Sequence, residues 1–165
     1  MTEDLRAKTC CFTGHRRIPE EALPRLERRL NEELEALAAR GVIYFGAGGA
    51  LGFDTLAAEA VIRLQRTRPQ VKLILVLPSP DQTRGWSSGN VRRYEAIRSR
   101  ANKVMYVAST YGPGCLFERN RRLVDGSGIC LCYLTAETGG TAYTVRYARK
   151  QGLPVINLAD RKSVV

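Results

Sequence analysis

The chain has 165 residues, of which 44% are hydrophobic and 25% charged, and its formal net charge is +10. This length and composition allow one globular domain with its own core, which we predict to extend over residues 1–165. No apolar run approaches the roughly 18 residues that a membrane-spanning helix needs, so we predict no membrane partner.

The polar N-terminal residues and the net positive charge suggest the compartment and the kind of partner. Residues 1–4 are polar and acidic, unlike a signal peptide, and we therefore predict a cytoplasmic protein. Arginine outnumbers lysine, and arginine is suited to bidentate contact with phosphate and to stacking on bases. The charge therefore fits an anionic partner, and it fits equally the basic surface of a protein from a high-GC organism.

Strand and helix patterns alternate along the whole chain. Strands are predicted over residues 8–13, 42–45, 71–77, 103–107, 128–134 and 154–158, and helices over residues 19–40, 53–66, 91–101, 117–124 and 141–151. The third strand is almost continuously apolar, which is typical of a parallel sheet that is covered on both faces. The alternation predicts an α/β fold with a mainly parallel sheet.

Two glycine-rich segments, residues 45–52 and 135–141, each follow a predicted strand and lead into a predicted helix. Free backbone N–H groups and the positive end of the dipole make such a helix start a binding site for anions, usually phosphate. Both segments are therefore predicted to hold phosphate or ribose groups of one ligand, through Gly46, Gly48, Gly49, Gly52, Gly139, Gly140 and Thr141.

Other candidate residues follow neighbouring strands. In open parallel sheets, ligands lie beyond the carboxyl ends of the strands. Segments 78–82 and 109–110 follow the third and fourth strands, and the first strand ends in Thr13, Gly14, His15 and Arg16. We expect these segments and the two glycine-rich segments to form one shared cavity.

Several common site types are excluded by spacing. Leu51 occupies the third glycine position of a dinucleotide fingerprint, and Leu77-Pro78 stands where an acid would hold the ribose. No Gly-Lys pair occurs, which excludes a P-loop. The five cysteines include no C-x-x-C pair and His15 is the single histidine, so we predict buried structural cysteines and no metal site.

Five side chains are candidates for ligand contacts, each beside a structural alternative. Asp54 is either a cap of its helix or a contact to ribose or base. Arg119 and Asn120 are predicted to face the cavity, with the next two arginines in solvent. Trp86 either stacks on a base or covers the core edge, and His15 either donates to phosphate or orders its loop.

At this point the chain resembles the YpsA-like branch of the SLOG superfamily. The resemblance extends over nearly the whole chain and rests on CFTGHR at residues 11–16, GALGFDTLAAE at 49–59, RN at 119–120, VD at 124–125 and GGT at 139–141, together with Pro78, Gln82, Trp86 and Tyr94. It implies a Rossmann-like three-layer domain of bacterial type that binds nucleotides or nucleotide-derived ligands such as ADP-ribose. This branch has no agreed activity, although some relatives are connected with cell division or stress.

Two related groups of proteins indicate alternative functions. The single-stranded DNA-binding protein DprA has a similar Gly-x-Asp helix start and an Arg-Asn-Arg stretch, matched here by residues 52–54 and 119–121. The LOG phosphoribohydrolases cleave nucleotide N-glycosidic bonds and carry P-G-G-x-G-T-x-x-E, but here Thr144 stands at the glutamate position and Asn120 at a lysine position. A threonine hydroxyl cannot replace a catalytic carboxylate.

The leading hypothesis is therefore a sensor or adaptor that binds a phosphate-bearing nucleotide or nucleotide derivative. A nucleotide N-glycosidase and a DprA-like single-stranded DNA binder are the alternatives. The residues leave open whether any reaction is catalysed and whether the protein is a homo-oligomer.

Overall fold

Six parallel strands form a single sheet in the structure, a computed structural model that describes residues 4–160. Residues 1–3, on which the predicted absence of a signal peptide depends, and residues 161–165 lie outside the described residues. Within the described part of the chain, no helix is long and apolar enough to cross a membrane.

The elements alternate as the sequence predicts. The strands are β1 Thr9–Gly14, β2 Tyr44–Ala47, β3 Lys72–Leu77, β4 Lys103–Tyr106, β5 Ile129–Tyr133 and β6 Val155–Asn157. The α-helices are α1 Leu23–Ala39, α2 Phe53–Leu64, α3 Ser88–Arg100, α4 Cys115–Asp125 and α5 Gly140–Lys150, and short 3₁₀ turns occupy Leu5–Lys8 and Glu20–Ala22. The predicted α/β class is confirmed.

Two helix starts, those of α1 and α3, differ from the predicted bounds by three or more residues, each for a local reason. The predicted helix over residues 19–40 begins as the 3₁₀ turn, and α1 proper starts at Leu23 with Pro24 in its first turn, where the missing N–H has no consequence. Helix α3 starts three residues before its predicted position, because the Ser87 hydroxyl accepts a hydrogen bond from the Asn90 N–H at 3.1 Å and caps it.

The strand order in the sheet is β4-β3-β2-β1-β5-β6, with every neighbouring pair parallel. The chain therefore moves outwards from β1 in one direction through β4 and then returns to the other side of β1 for β5. A crevice opens between β1 and β5 at this reversal, which is where open α/β sheets bind their ligands.

The sheet separates two apolar cores, so the fold has three layers. On one face α1, α2 and α3 pack on strand residues such as Phe12 and Leu131. On the other face α4 and α5 pack on Cys11, Cys130 and Cys132. Successive residues of β1 and β5 point to opposite cores, as the pleat requires, and all five cysteines are free and buried.

Candidate functional site

Two adjoining cavities lie at the carboxyl edge of the sheet, and together they are called the cleft here. Their volumes are about 350 and 300 Å³, which is the size range of small-molecule sites. Both are lined by Arg16, Ala50, Leu116 and Arg119, so these four residues form the wall that the cavities share. The smaller cavity lies over the β1–β5 reversal, and the larger one extends towards Trp86.

The start of α5 opens into the smaller cavity. Residues Thr138, Gly139, Gly140 and Thr141 line it, opposite Thr13, Gly14, His15 and Arg16 from the end of β1. Gly139, with φ of 102°, is the N-cap residue, and no side chain caps the helix. A methyl group on Gly139 or Gly140 would meet no atom within 4 Å, so this helix start faces open space. Its N–H groups are available to an anion.

Arg16 supplies a positive charge beside this helix start. Its side chain is exposed and lines both cavities of the cleft, as well as a third, neighbouring cavity. Among residues 4–160, no hydrogen bond or ion pair engages its guanidinium. The charge is therefore available for a ligand phosphate, and arginine can contact phosphate through two parallel N–H groups.

The first glycine-rich segment, in contrast, is filled by side chains of the protein itself. The Arg119 guanidinium donates to the Gly48 carbonyl, and the Gln82 amide donates to the Gly49 carbonyl at 3.1 Å. The Ala50 N–H donates to the Asp54 carboxylate at 3.2 Å. This segment lines the cleft only through Ala50, so the structure does not place its amides as a second cradle for phosphate.

The glycines of this segment are explained by close packing. A methyl group on Gly46 would lie 3.0 Å from the Leu123 side chain, and one on Gly48 would lie 2.5 Å from the Arg119 guanidinium. Gly49 faces Leu77, and Gly52, with φ of 82°, lies against the Arg16 backbone. In the structure, these four glycines make room for neighbouring residues because they have no side chain. The phosphate contacts predicted for them are not part of this arrangement.

Arg119 and Asp54 form the buried electrostatic centre beneath the cleft. Arg119 is 4% exposed, and its Nε donates to the Asn120 side-chain oxygen at 2.8 Å. Burial lowers the pKa of the Arg119 guanidinium and raises the pKa of Asp54. The Arg119 charge and the Ala50 N–H oppose the shift at Asp54. Asp54 lies in the first turn of α2 but makes no cap hydrogen bond to that helix, in contrast to the predicted cap. Its carboxylate instead holds the preceding loop through the Ala50 N–H, and it also lines the smaller cavity.

His15 orders the loop after β5. Its Nε2 accepts a hydrogen bond from the Thr135 N–H at 2.9 Å, and its ring meets Tyr133 edge to face at 5.9 Å. Burial lowers the pKa of the imidazole, so the neutral form with its proton on Nδ1 fits both observations. His15 lines the cleft as well, and thus holds the α5 start in position relative to β1.

Aromatic side chains line the far end of the larger cavity. Trp86 is half-buried, packs against the core and meets Tyr94 edge to face at 5.6 Å. Tyr111 lies opposite, in a loop held by its N–H, which donates to Asp81 at 2.8 Å. This loop reaches the cleft through Tyr111, and not through residues 109–110 as predicted. Trp86 therefore covers the core edge and also lines the larger cavity.

Sequence reasoning missed several residues that line the cleft. Tyr111, Arg84 and Leu116 line the larger cavity and Phe117 the smaller one. Of these four residues, only Phe117 could have been found from the sequence, because it stands at the start of a predicted helix. Arg119 and Asn120 line the cleft, and Arg121 and Arg122 are exposed. Within the described chain, no group of three His, Cys, Asp or Glu side chains is placed to hold a metal ion.

Comparison with protein families matches residues 13–154 to the YspA SLOG family. A UPF0398 protein of Halalkalibacterium halodurans is 29% identical over 129 residues, which are 76% of this chain and 68% of the relative. The UPF0398 protein YpsA of Bacillus subtilis is 28% identical over 135 residues, which are 80% of this chain and 75% of the relative.

Solved structures of DNA processing protein A, or DprA, have a similar fold. The Helicobacter pylori protein, whose structure concerns its single-stranded DNA binding mode, matches with a TM-score of 0.64 and 20% identity over 89% of this chain and 63% of its own. The Streptococcus pneumoniae protein matches with a TM-score of 0.64 and 19% identity over 98% of this chain and 53% of its own. This chain therefore spans less than two thirds of either DprA chain.

The contact between Gly48 and Arg119 generates a stability prediction. In Gly48→Ala the new methyl group displaces the Arg119 guanidinium, which loses its buried carbonyl partner, so we expect a loss of about 2–4 kcal/mol in the free energy of unfolding. Urea unfolding monitored by circular dichroism measures it. Gly112→Ala is the matched control, because a methyl group there meets nothing within 4 Å. Equal effects of the two substitutions would contradict this account of Gly48.

The raised pKa of Asp54 predicts a pH dependence. Above the ordinary carboxyl pKa of 3.8, the folded protein keeps a proton that the unfolded chain has released. The free energy of unfolding contributed by Asp54 therefore falls as pH rises from 3.8 through the folded-state pKa. We expect the unfolding free energy of the wild type minus that of Asp54→Asn to fall over this interval in urea titrations.

Asp81 provides a control of opposite sign for this measurement. The Ser79 hydroxyl and the Tyr111 N–H lower the pKa of Asp81 below 3.8. The wild-type advantage over Asp81→Asn is therefore present above pH 3.8 and is lost as pH falls through the folded-state pKa. A wild-type advantage over Asp54→Asn that rises with pH in the same way would refute the burial argument.

Proposed function

We propose that this chain, which belongs to the YspA SLOG family, binds a phosphate-bearing nucleotide or nucleotide derivative in the cleft. The observation that carries the proposal is the uncapped start of α5, facing the exposed Arg16 across the smaller cavity. A helix start and an arginine with no partner among residues 4–160 together provide N–H donors and positive charge for phosphate.

The rest of the cleft fits the other parts of a nucleotide. From the shared wall the larger cavity continues to Trp86 and Tyr111, which offer flat apolar surface to a base or another ring. Asn120 and Thr13 line the smaller cavity with polar groups that suit sugar hydroxyls. ADP-ribose, with two phosphates and two sugar rings, is one ligand of this class.

The acidic groups favour a sensor or adaptor over a glycosidase. Thr144, at the position of the LOG glutamate, is 3% exposed and donates its hydroxyl to the Gly140 carbonyl at 2.9 Å. The carboxylates in the cleft walls, Asp54 and Asp81, accept hydrogen bonds from the protein's own groups. Cleavage through an oxocarbenium-like state needs a carboxylate at the sugar, and these two are engaged elsewhere.

The proposal treats residues 1–165 as one domain in the bacterial cytoplasm. The five free, buried thiols suit the reducing conditions of that compartment.

Nucleotide binding is tested by thermal unfolding with AMP, ADP-ribose, NAD and cyclic nucleotides. At one hundred times the dissociation constant a ligand should add about 2.7 kcal/mol, equivalent to a rise of roughly 5–10 °C in Tm. Arg16→Ala should weaken binding of the active ligand about 10- to 100-fold, because a charge-assisted contact to phosphate is lost.

Arg17→Ala is the control, since Arg17 is exposed beside Arg16 but lines none of the three cavities that Arg16 borders. Its affinity should equal that of the wild type. The proposal fails if no member of the panel shifts the Tm, or if both variants lose affinity equally.

Single-stranded DNA is a second candidate ligand. The net charge of +10 favours it, and so does the fold shared with DprA, which in Helicobacter pylori binds single-stranded DNA. Exposed Arg121 on α4 extends positive charge beyond the cleft, whereas its neighbour Arg122 is paired with Glu118 at 3.2 Å.

Salt dependence distinguishes this candidate. Binding to an oligonucleotide through several phosphate contacts releases counterions, so the affinity should fall by about 10³-fold or more between 50 and 200 mM salt. Fluorescence anisotropy with a labelled dT₂₀ measures this. Binding that changes little with salt, or none detectable at 50 mM salt, excludes the DNA role.

A further inference from the structure

An aromatic pair, exposed Phe117 and half-buried Tyr143, borders the smaller cavity through Phe117. Phe117 is 45% exposed, and its ring meets Tyr143 edge to face, with ring centroids 5.0 Å apart. The pair belongs to neither of the two cores. Phe117 lies in the first turn of α4 and Tyr143 in the first turn of α5, so the pair lies where two helices begin.

The location of the pair is more informative than its exposure, since single exposed apolar residues are common. Phe117 lines the same cavity as Gly139, Gly140 and Arg16. Trp86 and Tyr111 line the other cavity. Arg16 and Arg119 lie in the wall that the two cavities share. Each of the cavities that these two cations border is therefore also lined by an aromatic ring.

A ligand that ends in a phosphate would use only part of this arrangement. Its base would reach Trp86 and Tyr111, its phosphate would lie at Arg16 and the α5 start, and Phe117 would remain uncovered. A ligand whose phosphate is bonded on both sides would continue past the helix start to the aromatic pair. Each cavity alone is at the small end of the range for ligand sites, and the two together are well within it.

We propose that the ligand contains two bases joined through phosphate, with one base at Trp86 and the second stacked on the Phe117–Tyr143 pair. The edge-to-face contact fixes the two rings while Phe117 still presents exposed surface to a base. This inference rests on the proposed function, because it needs the phosphate at the α5 start. It adds that this phosphate is a bridging group and that the ligand is of dinucleotide type.

The test compares ligands with one and two bases by isothermal titration calorimetry at fixed salt. AMP carries one base, whereas P1,P2-di(adenosine) diphosphate and the dinucleotide pApA carry two. Stacking of the second base should make at least one two-base ligand bind roughly 5- to 100-fold more tightly than AMP. The diphosphate is the better ligand if a small molecule is bound, and pApA if the source is an oligonucleotide.

Two variants at one position separate stacking from other effects. In Phe117→Ala the ratio of two-base to one-base affinity should fall to about one, whereas Phe117→Tyr keeps the ring and should keep the ratio. Since Phe117 is exposed and outside both cores, the alanine variant should fold, and its Tm confirms this. Lys150→Ala, exposed in the last turn of α5 and lining neither cavity of the cleft, should match the wild type.

The outcomes distinguish this inference from the proposed function. If AMP binds and the second base adds nothing in the wild type, the second ring site is refuted and the proposed function stands. The same holds if the advantage of two bases survives in Phe117→Ala. If none of the three ligands binds the wild type while ADP-ribose or a cyclic nucleotide does, the second ring site is refuted and the proposed function stands. If neither these three ligands nor any member of the thermal-unfolding panel binds, both are refuted.

Discussion

The arrangement of the cleft depends on the buried guanidinium of Arg119. It connects three elements, because it belongs to α4, donates to the Gly48 carbonyl after β2, and stands beside the carboxylate of Asp54 in α2. A buried cation is tolerated only where hydrogen-bond acceptors and opposite charge surround it. The first glycine-rich segment is shaped by this requirement, since its carbonyls turn inwards to Arg119 and Gln82. The start of α5 is thus the glycine-rich helix start that remains uncapped and faces the cleft.

The order of the strands provides the second constraint. Because β5 returns beside β1, residues more than one hundred positions apart in the chain meet at one edge of the sheet, and His15 ties them together by accepting from the Thr135 N–H. The α5 start and Arg16 thereby line the same cavity. The positive end of the helix dipole and the cationic side chain thus border one cavity, and the proposed phosphate site rests on this arrangement.

The fold could be predicted from the sequence almost completely, while the site could be predicted only in part. Alternating strand and helix patterns, and a third strand that is apolar throughout, are local properties of the chain. The roles of the glycines were harder to predict from the sequence, because a missing side chain leaves room equally for a phosphate or for a neighbouring residue. Gly139 and Gly140 face open space, whereas Gly46 and Gly48 face Leu123 and Arg119. No pattern within either segment distinguishes these cases.

The sequence by itself determined the α/β class, the parallel sheet, the family resemblance and the set of loops that meet at the carboxyl edge. It did so because periodicity and motif spacing reflect interactions between residues near one another in the chain. Only the tertiary structure decided that Arg119 turns inwards, that Arg16 stays exposed, and that Tyr111 and Phe117 border the cleft. Each of these depends on partners from distant elements, such as Gly48, 71 residues before Arg119. Side-chain direction is settled only when such elements pack together.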